Sequence, residues 1–238
     1  MQINKKSLSQ NFLIDKNICK KIVNLSSIQN KNVFEIGPGK GILTDAILEK
    51  NPKKLTLVEK DDDIYNYLKF KYKNIKNIEI INNDFLNINL NYYKNLSIVS
   101  NIPYNISSKI LKKIFFASNN VNELIMMVQK DFAKKINYND RKKMNKYKFL
   151  NEYSSKFTIC FDVNNKVFVP RPKIKSSIVK FEFINKKINW NKLYDFCEII
   201  FKDKRKILKN KINLNKKIIN INILKKRVED LKFEELNY

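Results

Sequence analysis

Two stretches carry residue types that could do chemistry. The first is Glu35-Ile36-Gly37-Pro38-Gly39-Lys40-Gly41, which holds all 3 glycines of a 238-residue chain. Glycine there permits positive φ and lets a ligand come close to bare backbone. The spacing Gly-x-Gly-x-Gly is not the dinucleotide pattern, and it lacks the Gly-Lys-Ser/Thr ending of a phosphate-binding loop. The second stretch is Asn101-Ile102-Pro103-Tyr104. Asn101 offers an amide oxygen, Ile102 a carbonyl and Tyr104 a flat ring, while Pro103 stiffens the backbone. The exocyclic amine of a nucleobase is a poor nucleophile, because its lone pair is delocalised into the ring. Hydrogen bonds accepted from that amine by Asn101 and Ile102 pull the nitrogen toward a tetrahedral shape. Tyr104 can stack on the everted base and hold it in line. The chain has no histidine, which excludes histidine triads and histidine metal sites. No metal site of any other spacing is present in the sequence.

These residues need elements to hold them. The glycines lie between an apolar strand at 32–36 and a helix at 42–50 whose buried stripe is Ile42, Ala46 and Ile47. Such a helix presents unpaired N–H groups to a ligand. A second strand at 54–59 ends in Glu59, about 20 residues past the glycines, where a carboxylate accepts from ribose hydroxyls in doubly wound sheets. Asp61, Asp62 and Asp63 compete with it for that role, and strand position favours Glu59. A third strand at 78–81 runs into Asn82-Asn83-Asp84-Phe85, which suits either an adenine-binding acid or a plain turn. A fourth strand at 96–100 delivers Asn101, and a fifth covers 124–130. Two late strands at 157–163 and 176–183 flank Val167-Phe168-Val169-Pro170-Arg171-Pro172. The alternation predicts an α/β fold with its ligand at the carboxyl ends of the strands.

Before the glycines, Asn11 and Asp15 precede a helix with Ile18, Ile22 and Val23 on one face. They read as caps or as a lid over a ligand. Lys142 to Lys148 reads as a basic surface loop. From Asn189 onward the pattern is helical, with Trp190, Leu193, Cys197 and Ile200 recurring at helical spacing, the basic cluster Lys202-Asp203-Lys204-Arg205-Lys206 interrupting it, and Ile207, Leu208, Lys211 and Ile212 continuing it. A boundary is therefore expected near 185, between a catalytic domain at 1–185 and a small helical domain at 186–238.

Lys and Arg total 48 against 23 Asp and Glu, a net charge of +25, and 43% of residues are hydrophobic. The charge points to a polyanion partner, nucleic acid first. Part of it reflects abundant Lys, Asn and Ile with scarce Gly and Ala, the composition of an AT-rich genome. The 3 cysteines, Cys19, Cys160 and Cys197, are far apart and predict neither disulfides nor a metal cluster. Neither a membrane-spanning run nor an apolar leader is apparent, so a cytoplasmic protein is expected.

The Gly-x-Gly-x-Gly turn resembles motif I of S-adenosylmethionine (SAM)-dependent methyltransferases. Together with Gln10-Asn11-Phe12-Leu13 and Asn101-Ile102-Pro103-Tyr104-Asn105-Ile106-Ser107, it makes the chain similar to the rRNA adenine N6-dimethyltransferases from about Ser9 to about Glu235. The resemblance implies a Rossmann-like methyltransferase fold, with a seven-stranded, mostly parallel sheet and a small C-terminal helical domain. It implies SAM as cofactor, held by Asn11, Leu13, Gly37, Gly39, Glu59, Asp84 and Asn101. Asn101, Ile102, Pro103 and Tyr104 would meet the target base, and Phe168 would stack on it; Leu13 and Phe168 equally suit the core. Phe201-Lys202-Asp203-Lys204-Arg205-Lys206 and Arg227-Val228-Glu229-Asp230-Leu231 resemble the small-subunit (KsgA-type) branch. Lys204 replaces an arginine there, and the C-terminal part is short.

The resemblance then implies dimethylation of two adjacent adenosines near the 3′ end of small-subunit rRNA, in ribosome biogenesis in a bacterium. Lys202, Lys204, Arg205 and Lys206 would contact RNA, and a monomer is expected. The alternatives are an Erm-type methylase of large-subunit rRNA and a non-catalytic ribosome-assembly or transcription factor on the same fold. Asn101→Ala is expected to abolish methylation, and Gly39→Val to block the cofactor by filling space the glycine backbone leaves.

Overall fold

Short apolar runs alternating with amphipathic ones become strands alternating with helices. The computed structural model describes residues 11–140, 143–184, 188–203, 205–210 and 221–236. The first half of the chain runs β1 (Phe12–Leu13), α1 (Lys16–Val23), β2 (Asn32–Ile36), α2 (Ile42–Leu48), β3 (Lys54–Glu59), α3 (Asp62–Lys71), β4 (Ile78–Asn82) and β5 (Leu96–Asn101). The second half adds α4 (Ser107–Phe116), β6 (Val121–Gln129), α5 (Lys130–Ile136), α6 (Lys146–Ser154), β7 (Ser155–Val163), β8 (Phe168–Val169), β9 (Ser176–Phe183) and α7 (Trp190–Phe201).

Seven strands form one sheet in the order β4-β3-β2-β5-β6-β9-β7. The first five run parallel, while β9 and β7 join antiparallel. The Rossmann-like, mostly parallel sheet expected from the sequence is the one observed. Strand β2 pairs with both β3 and β5, so the chain winds outward from it in two directions. Ligands in open α/β sheets bind at the carboxyl ends of strands where the order reverses.

The core lies on both faces of this sheet, because side chains alternate along each strand. Val33, Leu55, Leu57 and Val99 pack toward Leu43, Ile47, Ile64 and Leu68. Phe34, Ile98, Leu124 and Met126 pack on the opposite side with Ile110, Leu111, Ile114 and Phe149. Burial on both faces explains why these strands read as continuous apolar runs.

Two stretches differ from the sequence reading. The basic surface loop at 142–148 instead leads into α6: the Asn145 side chain accepts from the backbone of Tyr147 and Lys148, and Phe149 and Leu150 go into the core. Lys148 is itself buried, its ammonium donating to the Asp140 carbonyl. The C-terminal helix stops at Phe201, where consecutive charged residues leave no apolar side chain to bury. Ile207 then bridges to Arg227 as an isolated antiparallel pair, and 208–210 forms a single 3-10 turn. Lys211 and Ile212 lie outside the described residues, as does the 185–187 segment near the expected boundary. The helix beyond it shares the core of the sheet. Trp190 stacks on Phe115 at 5.7 Å, and its Nε1 donates to Ser118 Oγ at 3.0 Å. No helix among the described residues is long and apolar enough to cross a membrane.

Candidate active site

The glycine turn follows β2 and the Asn101 segment ends β5, so neighbouring strands deliver both stretches to one rim. They meet in a single cavity of about 600 Å³. From the turn it is lined by Gly37, Gly39 and Lys40, and from the β5 end by Asn101, Ile102, Pro103 and Tyr104. Glu59 enters from β3 and Asp84 with Phe85 from the end of β4. Asn11 and Leu13 close it from the N-terminal segment, together with Phe12.

All three glycines have positive φ, and the requirement differs between them. At Gly37 an added Cβ would meet nothing within 4 Å. At Gly41 it would come within 2.3 Å of Tyr72 Oη. That hydroxyl donates to the Gly41 carbonyl at 2.9 Å and to Asp45 at 2.6 Å, and Lys71 Nζ holds the same carboxylate at 2.8 Å. The turn is thus braced from α3. Gly39 departs from the sequence reading: its added Cβ would press at 3.0 Å on the Phe12 ring. A valine there would displace that ring.

Of the acids after β3, Glu59 alone among the described residues lines the cavity. One of its oxygens accepts from the N–H groups of Lys60 and Asp61 at 2.9 and 3.0 Å. Burial nonetheless outweighs these bonds and raises its pKa above the ordinary carboxylate value. Asp61 is occupied as the cap of α3, and Asp62 accepts from Asn82 Nδ2 at 2.7 Å. At the end of β4, Asp84 caps its own turn by accepting from Leu86 N at 2.9 Å. Lys113 donates to the Leu86 carbonyl at 2.9 Å, and its ammonium stands 5.9 Å from the Phe85 ring centre.

Asn101 donates from Nδ2 to the Asn11 carbonyl at 3.4 Å. This tethers the N-terminal segment across the cavity and leaves the Asn101 amide oxygen without a partner among the described residues. Asp15, by contrast, is a cap, accepting from Asn17 and Ile18. Tyr104 Oη shares a hydrogen with Ser176 Oγ at 2.5 Å, and burial raises its pKa, so the ring stands neutral and fixed at the rim.

Phe168 is where the sequence reading needs correction. Its ring is 1% exposed in the core and does not line the cavity. The reason is register: β8 pairs antiparallel with β1, setting Phe168 opposite Leu13 and Val169 opposite Phe12. Alternation turns Phe168 inward and puts Val169, half exposed, on the cavity wall. Of the basic residues expected to contact RNA, Lys202, Arg205 and Lys206 are exposed past α7, away from the cavity wall. Lys204 lies outside the described residues.

Sequence reasoning missed several residues on the wall, Phe12 and Glu35 among them. Phe12 lies beneath Gly39 and carries the Lys40 ammonium 5.6 Å from its ring. Its place between Asn11 and Leu13 in an alternating strand was the available signal. Glu35 lines the cavity while fully buried, accepting from Thr44 Oγ1 at 2.6 Å, and desolvation pushes its pKa up to about 8. Its setting inside the glycine motif gave no hint of this.

The profile of the ribosomal RNA adenine dimethylase family matches residues 1–234. A protein of Pelagibacter ubique named ribosomal RNA small subunit methyltransferase A is 40% identical over 222 residues, covering 88% of this chain and 82% of the relative. A Hydrogenobaculum protein of the same name is 34% identical over 237 residues, covering 98% of this chain and 91% of the relative. Among solved structures, a dimethyladenosine transferase from Plasmodium falciparum superposes with a TM-score of 0.79 at 23% identity, over 94% of this chain and 95% of that one. The 23S rRNA methyltransferase ErmE superposes with a TM-score of 0.69 at 24% identity, over 81% and 79%. At these identities the two structures speak for the fold alone. The match over nearly the whole chain, with the cavity joining the glycine turn to Asn101, establishes that this chain belongs to the ribosomal RNA adenine dimethylase family.

Proposed function

We propose that this chain transfers methyl groups from SAM to N6 of two adjacent adenosines near the 3′ end of small-subunit rRNA, during ribosome biogenesis. The observation that carries this reading is the single cavity into which both Gly37 and Asn101 open. The relatives named for the small subunit, matched over 82% and 91% of their length, favour that target over the large subunit.

The residues present fit SAM. Gly37 leaves open space for a bulky group at the turn. The Glu59 carboxylate would accept from ribose hydroxyls, Asp84 would accept from an adenine amino group, and Phe85 would lie beside the ring. Asn11 and Leu13 would cover the cofactor, with Gly39 and Asn101 completing its surround. SAM supplies an electrophilic methyl group on a sulfonium.

The chain's own work falls to the β5 end. The Asn101 amide oxygen and the Ile102 carbonyl accept hydrogen bonds from the target amine and localise its lone pair. Tyr104 stacks on the everted base, and Pro103 fixes the backbone between the two acceptors. The amine becomes acidic once methylated, so no strong base is required. Lys202, Arg205 and Lys206, with Lys204, meet rRNA from the C-terminal helical part. The protein acts as a monomer in the bacterial cytoplasm.

The test is incubation with undermethylated small and large subunits and labelled SAM, followed by mapping of the label. Label on two adjacent small-subunit adenosines is expected. Label on a large-subunit adenosine would replace this reading with an Erm-type one. Failure to bind SAM at all would favour a non-catalytic assembly factor.

A further inference from the structure

Beside the large cavity lies a smaller one of about 200 Å³, and Tyr104 lines both. It occupies the same rim of the sheet, where β6 ends at Gln129. Phe132 and Tyr147 line it and pair edge to face, ring centres 6.0 Å apart. Lys135 Nζ stands 5.8 Å from the Tyr147 ring centre. Ser108, from α4, contributes a hydroxyl. Neither the Gln129 amide nor the Ser108 hydroxyl has a hydrogen-bond partner among the described residues. Gln129 sits opposite Ser176 in the β6–β9 ladder, and Ser176 holds Tyr104 through its hydroxyl. The dividing wall and the unpartnered amide are therefore fixed to one another.

We propose that this second cavity receives the nucleotide next to the target adenine in the RNA strand; the inference rests on the reading of the target given above. Everting one base unstacks its neighbour, which then needs a new surface. Tyr104 lines both compartments on one rim, and Phe132 with Tyr147 supplies aromatic surface in the second. A primary amide presents an N–H donor beside a carbonyl acceptor, the pair that matches adenine N7 and N6 on one edge. Lys135 supplies the charge for the adjoining phosphate. The chemistry selects adenine, so a pair of adjacent adenines offers one base to each compartment.

The experiment uses the full chain and RNA hairpins carrying the target adenine, with the base on each side of it varied separately. Methyl transfer is read as kcat/KM, and binding through the fluorescence of 2-aminopurine placed at the neighbouring position. The wild type should prefer adenine at one of the two neighbours by about 10-fold or more, the discrimination of a good bidentate pair. Gln129→Ala should reduce that preference to within about 2-fold, with SAM affinity unchanged. Lys135→Ala, on an exposed helix surface, should weaken hairpin binding and flatten its salt dependence while keeping the base preference. Wild-type rates indifferent to both neighbours, or a preference that survives Gln129→Ala, would overturn the second compartment and leave the target reading standing. Hairpins that neither bind nor accept methyl groups overturn both.

Discussion

Ser100 Oγ donates to the Ile36 carbonyl at 2.5 Å, tying the end of β5 to the end of β2 one residue before Asn101 and one before Gly37. Both residues are buried. This bond fixes the separation between the strand that carries the glycine turn and the strand that carries Asn101. Ser100→Ala should cost about 1–3 kcal/mol, because it leaves a buried carbonyl without its donor. Urea unfolding measures that loss. The turnover number should fall as well, since the two ends of the site are no longer held at one spacing.

The glycines of the turn separate into a cavity-lining and a structural position. Gly37→Ala adds a methyl group where nothing stands within 4 Å, so its cost in stability is only that of a left-handed backbone, about 1–2 kcal/mol. SAM affinity should nevertheless drop sharply. Gly41→Ala collides with Tyr72 Oη and breaks the brace to Asp45. Its main effect should be on melting temperature. Calorimetric titration and thermal melting of the two variants, side by side, would expose a reversed pattern.

Glu35 makes stability depend on pH. Its pKa stands at about 8 in the folded chain against an ordinary 4.5, because burial penalises the charged form. Between those values the folded state binds more protons than the unfolded state. The contribution is complete below pH 4.5 and is lost as pH rises toward about 8, with a slope of at most about 1.4 kcal/mol per pH unit. Glu35→Gln keeps an acceptor for Thr44 and should flatten that slope in denaturant melts across the window. A slope unchanged by the substitution would mean the carboxyl titrates normally.

Lys202 and Arg205 are exposed past α7, and Lys206 is half engaged with Asp203 at 3.4 Å. Replacing Lys202 and Arg205 by Glu should weaken rRNA binding without changing SAM affinity. The slope of log affinity against log salt should fall by about one for each phosphate that is no longer neutralised. An unaltered slope would make these side chains a solvated surface only.

Strand ends were the most legible part of the sequence. The run at 54–59 ends in an acid that reaches the cavity, and the competing acids at 61 and 62 are taken up by a helix cap and an asparagine. Local pattern alone suffices there, because β3 is buried from Leu55 to Val58 with no charged side chain, and Glu59 is the first charged residue after that run. Phe168 was not legible: its side is set by pairing with Leu13, more than 150 residues earlier, and no local spacing encodes that register. Lys148 shows the same limit, since its burial depends on the carbonyl of Asp140 in the preceding turn. The stop of α7 at Phe201 was legible in part, since it falls where the charged run at 202–206 interrupts the helical spacing that Ile207 and Leu208 resume.

The central claim is that Asn101 acts on the amine and only incidentally on the cofactor. Its most direct measurement pairs the rate of methyl transfer to undermethylated small subunits with the SAM dissociation constant, for wild type and Asn101→Ala. Asn101 lines the cavity, its amide oxygen has no partner among the described residues and Nδ2 only tethers Asn11, so transfer should fall by about 10²–10³-fold or more with SAM affinity changed less than about 10-fold. Turnover close to wild type, or a loss of SAM binding as large as the loss of transfer, would contradict it.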